Sequence, residues 1–211
     1  MATPDARTLR VKRAIDLCLL AMLALPSLLT VALFSLLTRL VTGGPALYKQ
    51  KRIGYRGRTI EVWKMRTMKV DAEAILAERL EVCPETRQEW DQNFKLRQDP
   101  RIIPYLGSFL RRSSLDELPQ LLNIWKGEMS FVGPRPLPIY HFQTFESEFQ
   151  QLRQSVPPGL SGLWQISERS DGDLASHQVW DTRYIENFSL LNDLRIIAKT
   201  PMIVLRCRGA R

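Results

Sequence analysis

Leu17–Thr38, LCLLAMLALPSLLTVALFSLLT, contains no charged residue, and its reading decides the fold. As a helix rising about 1.5 Å per residue it reaches about 33 Å, enough to cross the hydrocarbon core of a bilayer. Two features set it apart from a plain span. Pro26 falls near its middle, where it removes a helical hydrogen bond and kinks or breaks the helix. Basic residues flank both ends: Arg7, Arg10, Lys12 and Arg13 before it, then Arg39, Lys49, Lys51, Arg52, Arg56 and Arg58 after it. Such flanks favour the cytoplasmic face on both sides. A re-entrant helix that enters, bends at Pro26 and returns satisfies both features; a single-pass anchor with a tolerated proline is the alternative. The run is too long for a signal peptide, and no small-residue cleavage site follows it.

The 211 residues allow one domain, at most two, and a net charge of +8 points to anionic partners. Nucleic acid, anionic lipid and phosphorylated substrates all qualify on charge alone. Cys18, Cys83 and Cys207 are odd in number and far apart, so neither a disulfide framework nor a zinc spacing is present, which suits a reducing compartment. His141 and His177 are too few for a histidine-rich metal site and read as surface or packing residues.

Beyond Gly43-Gly44-Pro45, residues 46–53 and 58–65 read as paired strands around Gly54-Tyr55-Arg56-Gly57, with a basic face that is either solvated or meets headgroups or a nucleotide. Residues 71–96 read as helix with a break at Pro84 and a packing stripe of Ile75, Leu76, Leu80, Trp90 and Phe94. Residues 138–156 suggest a further amphipathic helix. Trp164, in the constrained loop 157–165, is either a core residue or a platform for a base. Residues 190–204 form an apolar pattern interrupted by Asp193, Arg195 and Lys199, which fits a helix lying on a membrane face or one docked on the core.

The chemistry concentrates in Ser113-Ser114-Leu115-Asp116-Glu117-Leu118-Pro119-Gln120. Pro119 suits a first helical position, which places Asp116 and Glu117 at a helix N-terminus. There the dipole and the cations of Arg101, Arg111, Arg112 and Arg135 favour ionised carboxylate. A carboxylate nucleophile, a metal-binding carboxylate and several arginines suggest phosphoryl chemistry. The plainer reading is a capping box, Ser114-x-x-Glu117, in which both acids only start a helix.

Taken together the motifs resemble the monotopic phosphoglycosyl transferases, also called bacterial sugar transferases. The resemblance rests on Tyr48-Lys49-Gln50-Lys51-Arg52-Ile53-Gly54, Trp63-Lys64-Met65-Arg66-Thr67-Met68, Asp99-Pro100-Arg101-Ile102 and residues 110–120. It continues through Leu122-Asn123, Lys126-Gly127, residues 129–136 and residues 158–165, in order over nearly the whole chain. It is closest to the small form consisting of the catalytic unit alone. It implies a mixed α/β, mostly helical fold: one membrane-embedded domain over 1–211, with a re-entrant, kinked helix at about 14–41. A small β-hairpin and amphipathic interfacial helices make up a catalytic part at about 45–211, closing with an interfacial helix at about 189–206.

The resemblance further implies an enzyme that transfers a sugar 1-phosphate from a UDP-sugar to undecaprenyl phosphate with release of UMP, the first membrane step towards a surface polysaccharide or glycoconjugate. Matched residue by residue, Asp116 falls at the nucleophile that becomes an aspartyl phosphosugar, and Glu117 at the Mg²⁺ ligand. Arg111, Arg135 and Arg169 fall at phosphate-binding positions, Lys64 and Arg66 at weaker ones, and Asp181 at an acid of unassigned role. Leu25 stands where small members often carry Ser before the kink proline, and Glu168 where Gly often precedes the late arginine. The expected setting is the bacterial inner membrane with the catalytic part facing the cytoplasm, membrane lipid as a partner and no nucleic acid; the family also allows a homodimer. A non-catalytic, membrane-tethered basic protein that binds anionic lipid or nucleic acid is the competing reading. It accounts for the charge and the apolar run but not for an Asp-Glu pair among arginines.

Overall fold

The computed structural model describes residues 4–93, 96–167 and 174–205. The apolar run lies inside a longer helix, α1, Ala6–Thr42. Asp5 caps its start by accepting a hydrogen bond from the Thr8 N–H at 2.6 Å. Gly43 ends it in the left-handed conformation, φ 67°, returning its N–H to the Arg39 carbonyl. The helix therefore begins earlier than the expected 14–41, because the basic flank is helical too. It is assigned as helix throughout, with Pro26 inside it.

Helix α1 is packed at its start and meets the body again at Thr38, but elsewhere it is bare, with Leu33, Leu36, Leu40 and Val41 of its second half 54–72% exposed. Lys12, Asp16 and Leu20 are buried near one end and Thr38 near the other, where the Phe34 ring meets Phe109 at 5.6 Å. Between them Met22, Leu25, Leu28 and Leu29 are 62–75% exposed. Burying a large aliphatic side chain is worth roughly 1.5–3 kcal/mol. A helix that forgoes this at so many consecutive positions is built for a second apolar medium or partner. By length and composition α1 is sufficient to cross a membrane.

Strands β1, Leu47–Ile53, and β2, Thr59–Met65, form the expected antiparallel hairpin, pairing Tyr48 with Lys64 and Lys49 with Trp63. The turn uses Arg56 at φ 55° and Gly57 at φ 72°. Val62 of β2 is buried, and Lys64, two residues on and so on the same face, points into the site. Lys49 instead lies over the Trp63 ring and pairs with the half-exposed Glu61, so this part of the basic face is solvated.

The helix expected over 71–96 is two, α2 (Ala72–Val82) and α3 (Pro84–Asn93), separated at Cys83 as Pro84 requires. Its apolar stripe is only half-buried, so it contributes less packing than expected; Phe94 lies outside the described residues. The chain continues through α4 (Leu106–Arg112), a 3₁₀ turn (Leu115–Gln120) and α5 (Leu121–Lys126) to β3 (Ser130–Val132). Residues 138–156 divide into α6 (Ile139–Phe142) and α7 (Ser147–Gln154), because Glu146 is extended, φ −58°, ψ 144°. Then come β4 (Gly159–Ser161), α8 (Leu163–Ser167), α9 (Leu174–Glu186) and α10 (Leu190–Leu205).

Strands β3 and β4 pair in parallel, which the sequence did not signal. Gly133 is required beside them: a Cβ there would sit 2.2 Å from the Pro157 carbonyl oxygen. The core gathers Val62, Ile124, Met129, Val132, Val156, Tyr184 and Ile196 from the hairpin, α5, the parallel pair, α9 and α10. Helix α10 docks on that core through Asp193, Ile196 and Thr200, the last sharing a 2.7 Å hydrogen bond with Ser161. It leaves Leu191, Leu194 and Met202 exposed.

Polar contacts fix the first turns of α1 to this body. Lys12 pairs with the buried Asp193 of α10 at 2.6 Å. Asp16 accepts hydrogen bonds from the Ser130 hydroxyl and the Phe131 N–H, and Arg13 donates to the carbonyls of Ile124 and Trp125.

Candidate active site

Ser114, at φ 57°, turns the chain out of α4 into the 3₁₀ turn that carries Asp116 and Glu117. The capping box does not form: the Ser114 side chain makes no cap, and the Glu117 side chain turns towards two cations. Nor is Pro119 a first α-helical residue. It lies within the 3₁₀ turn, and the α-helix begins at Leu121.

Glu117 Oε1 accepts hydrogen bonds from Lys64 Nζ at 2.8 Å and Arg135 Nη2 at 2.5 Å, while Oε2 accepts one from Arg135 Nη1 at 3.2 Å. Lys64 comes from β2, Glu117 from the 3₁₀ turn and Arg135 from the loop after β3. Burial pushes the Glu117 carboxyl towards the neutral acid. Arg135 and then Lys64 overcome that and hold it well below the usual carboxylate range. Glu117 is therefore a permanent anion at any physiological pH.

Asp116 differs although it is adjacent. Burial first, with the Glu117 charge adding to it, raises its carboxyl to about 6 against the pull of Lys64, Arg111 and Arg135. At pH 7 the carboxylate is still the majority form, but it is poorly stabilised. An anion short of stabilising contacts has more to gain by bonding to an electrophile. Arg111, in the last turn of α4, is steadied by donating from Nε to Thr67 Oγ1 at 2.9 Å.

The expected residues thus divide. Lys64, Arg111, Asp116, Glu117 and Arg135 come together. Arg66 donates from Nε to the Pro45 carbonyl at 2.7 Å, a contact outside this cluster. Asp181 is buried behind the loop of Arg135, 3.2 Å from Arg153. Arg169 and Glu168 lie outside the described residues. Arg101 is occupied by Asp99 and the Trp90 ring. Trp164 is no base platform, since it is buried and stacked on His177 at 3.8 Å.

Two site supports escaped the sequence reading. Asn123 donates to the Glu61 carbonyl and to Glu128, and accepts from the Trp63 N–H, which sets the height of β2 and hence of Lys64. Arg153 is the other; a charged residue on the inward stripe of α7 was its only signal.

A divalent hard cation suits this donor set. Adjacent carboxylates offer oxygen donors, and Oε2 of Glu117 keeps acceptor capacity beyond its single contact with Arg135. Among the described residues no cluster of three or more His, Cys, Asp or Glu forms. An Mg²⁺ held by one or two carboxylates and completed by substrate phosphates would not require such a cluster.

A family model described as bacterial sugar transferase matches residues 7–207. The chain belongs to that family. It is 40% identical over 200 residues to an undecaprenyl-phosphate galactose phosphotransferase of Salmonella typhimurium, covering 94% of this chain and 41% of that protein. It is 43% identical over 200 residues to the exopolysaccharide production protein ExoY of Sinorhizobium fredii, covering 94% of this chain and 87% of that one. To an uncharacterized sugar transferase of Haemophilus influenzae it is 45% identical over 168 residues, 80% of this chain and 35% of the relative. This bacterial sugar transferase therefore spans well under half of two of these relatives and most of the third.

Proposed function

We propose that this sugar transferase moves a sugar 1-phosphate from a UDP-sugar to undecaprenyl phosphate through an aspartyl phosphosugar on Asp116. A carboxylate oxygen of Asp116 attacks the sugar-bearing phosphorus, the bond from that phosphorus to the bridging oxygen breaks, and UMP leaves. A phosphate oxygen of the polyprenyl acceptor then attacks the same phosphorus, Asp116 departs as carboxylate, and polyprenyl diphosphate sugar is released. The observation that carries this reading is the geometry of the acid pair: Glu117 is clamped by hydrogen bonds from Lys64 and Arg135, and Asp116 beside it stands in the field of Lys64, Arg111 and Arg135. Arg111 and Arg135 would neutralise the diphosphate, and Lys64 would hold Glu117 in place. Bound Mg²⁺, held by Glu117, would supply charge neutralisation for the departing UMP.

The acceptor's phosphate sits at headgroup level, which suits a site beside an apolar helix. Helix α1 is read as re-entrant in the bacterial inner membrane, with the catalytic part on the cytoplasmic side. It presents bare apolar surface over most of its length while Thr38, near its end, returns to the body, and basic residues lie beyond both ends of the apolar run. The Salmonella relative's name points to the same lipid carrier.

The test is UMP release from a panel of UDP-sugars by protein in nanodiscs with Mg²⁺ and undecaprenyl phosphate. Release with one sugar, lost on chelation of Mg²⁺, is expected. No release with any UDP-sugar from folded, membrane-bound protein would return weight to a basic, membrane-tethered binding protein.

A further inference from the structure

Three consecutive backbone carbonyls in the loop after β3 are each held by a different element. The Pro134 oxygen accepts from the Gly159 N–H of β4 at 2.9 Å, and the Pro136 oxygen accepts from Arg52 Nη1 of β1 at 3.2 Å. Between them the Arg135 oxygen accepts from Arg153 Nη2 of α7 at 2.5 Å. The side chain of this same Arg135 clamps Glu117.

Arg153 is an unusual donor for that task. Its side chain is 4% exposed and lies beside the packed Phe145 and Phe149 rings, each centred 5.9 Å away. An isolated guanidinium in such a place is expensive, and the compensating charge is Asp181 of α9, 2% exposed, with Oδ2 3.2 Å from Arg153 Nε. His177 Nδ1 stands 3.7 Å from that same oxygen. Burial lowers the His177 pKa, so at neutral pH Arg153 is the cation that answers Asp181. Arg135 and Arg153 both line a shallow, solvent-open cleft, together with Ile53, Leu137, Phe142 and Pro158.

We infer that Arg153, with Asp181 behind it, is a positioning residue of this transferase: by fixing the Arg135 carbonyl it aims the Arg135 guanidinium at Glu117. This rests on the proposed role of the acid pair. It gives Asp181 a function without bringing it into contact with substrate. A displacement of about 1 Å at a reacting centre can cost about 100-fold in rate. Arg153→Gln, which keeps much of the stem but loses the fork, is therefore expected to lower kcat by about 10- to 100-fold. KM for the sugar nucleotide should rise far less.

The experiment is a cycle of wild type, Arg153→Gln, Arg135→Lys and the double variant, with kcat from UMP release and a thermal midpoint for each. Arg153 acting through Arg135 predicts that Arg153→Gln costs less than about threefold once Arg135 is Lys. The same fold-loss in both backgrounds would overturn the relay and leave a structural role. Wild-type turnover from Arg135→Lys would overturn it at its target. Asp181→Asn, nearly isosteric, enters the same cycle if Arg153→Gln does not fold. An experimental structure of the Arg153→Gln variant decides the matter independently of any assay, so that a failure of the reaction assignment stays distinguishable. Arg135 swung away from Glu117 supports the relay, and an unmoved Arg135–Glu117 pair overturns it.

Discussion

Asp116→Asn is expected to abolish turnover, by at least about four orders of magnitude, while making the protein harder to unfold at neutral and alkaline pH. The first half follows from the loss of the attacking oxygen; an amide of nearly the same shape cannot form the acyl phosphate. The second follows from the sign of the Asp116 shift. Its carboxyl is raised to about 6, so the folded state holds the proton more tightly than the unfolded chain does, whose Asp titrates at about 3.9. Ionised Asp116 therefore destabilises the fold, fully above about pH 6 and not at all well below pH 4. Replacing it with neutral Asn removes that cost. The thermal midpoint should rise at pH 8 and converge with wild type near pH 4. A variant that is inactive and also less stable at pH 8 would mean that the Asp116 environment favours its charge, contrary to this account.

The second large effect lies at the root of α1. Lys12→Met should destabilise the protein by about 3–5 kcal/mol, because Asp193 is left ionised, buried and short of its cation. The two side chains are 5% and 4% exposed and meet at 2.6 Å across most of the sequence, so solvent screening offers little relief. The Tyr184 hydroxyl would remain as a donor to Asp193 at 2.8 Å, which does not replace a charge. Lys12→Met combined with Asp193→Leu should recover most of the loss, since a buried ion pair exchanged as a unit for apolar groups is often neutral. Thermal unfolding of both variants in detergent separates the cases. A single variant as stable as wild type would show that the first turns of α1 do not depend on this pair.

How much of this was legible in the sequence depended on whether the signal was local. The apolar run, the hairpin and the break at Pro84 were readable because length, alternation and proline act within a few residues. The acid pair with Arg111 and Arg135 was readable as a group, whereas Arg101 and Arg66 are engaged elsewhere. The capping box was a false lead, since it required Glu117 to turn back on its own backbone, and the cations of β2 and the Arg135 loop outcompete that. Residues that act across the fold were not readable. Arg153 shows in the sequence only as a charge on the inward stripe of a short amphipathic helix, and its partner Asp181 comes from α9, far along the chain. The pairing of β3 with β4 rests on three-residue strands too short to show a period. Asp193 read as an interruption of an apolar pattern, whereas it is the partner that lets Lys12 be buried.

The central claim is that Asp116 carries the sugar phosphate between donor and acceptor. The most direct measurement is the intact mass of the protein after incubation with its UDP-sugar and Mg²⁺ in the absence of undecaprenyl phosphate. The account predicts an added mass equal to one sugar phosphate, located on the Asp116 peptide, lost on adding the acceptor and absent from Asp116→Asn. Full turnover with no adduct under any quench, or an adduct that persists in Asp116→Asn, would contradict it.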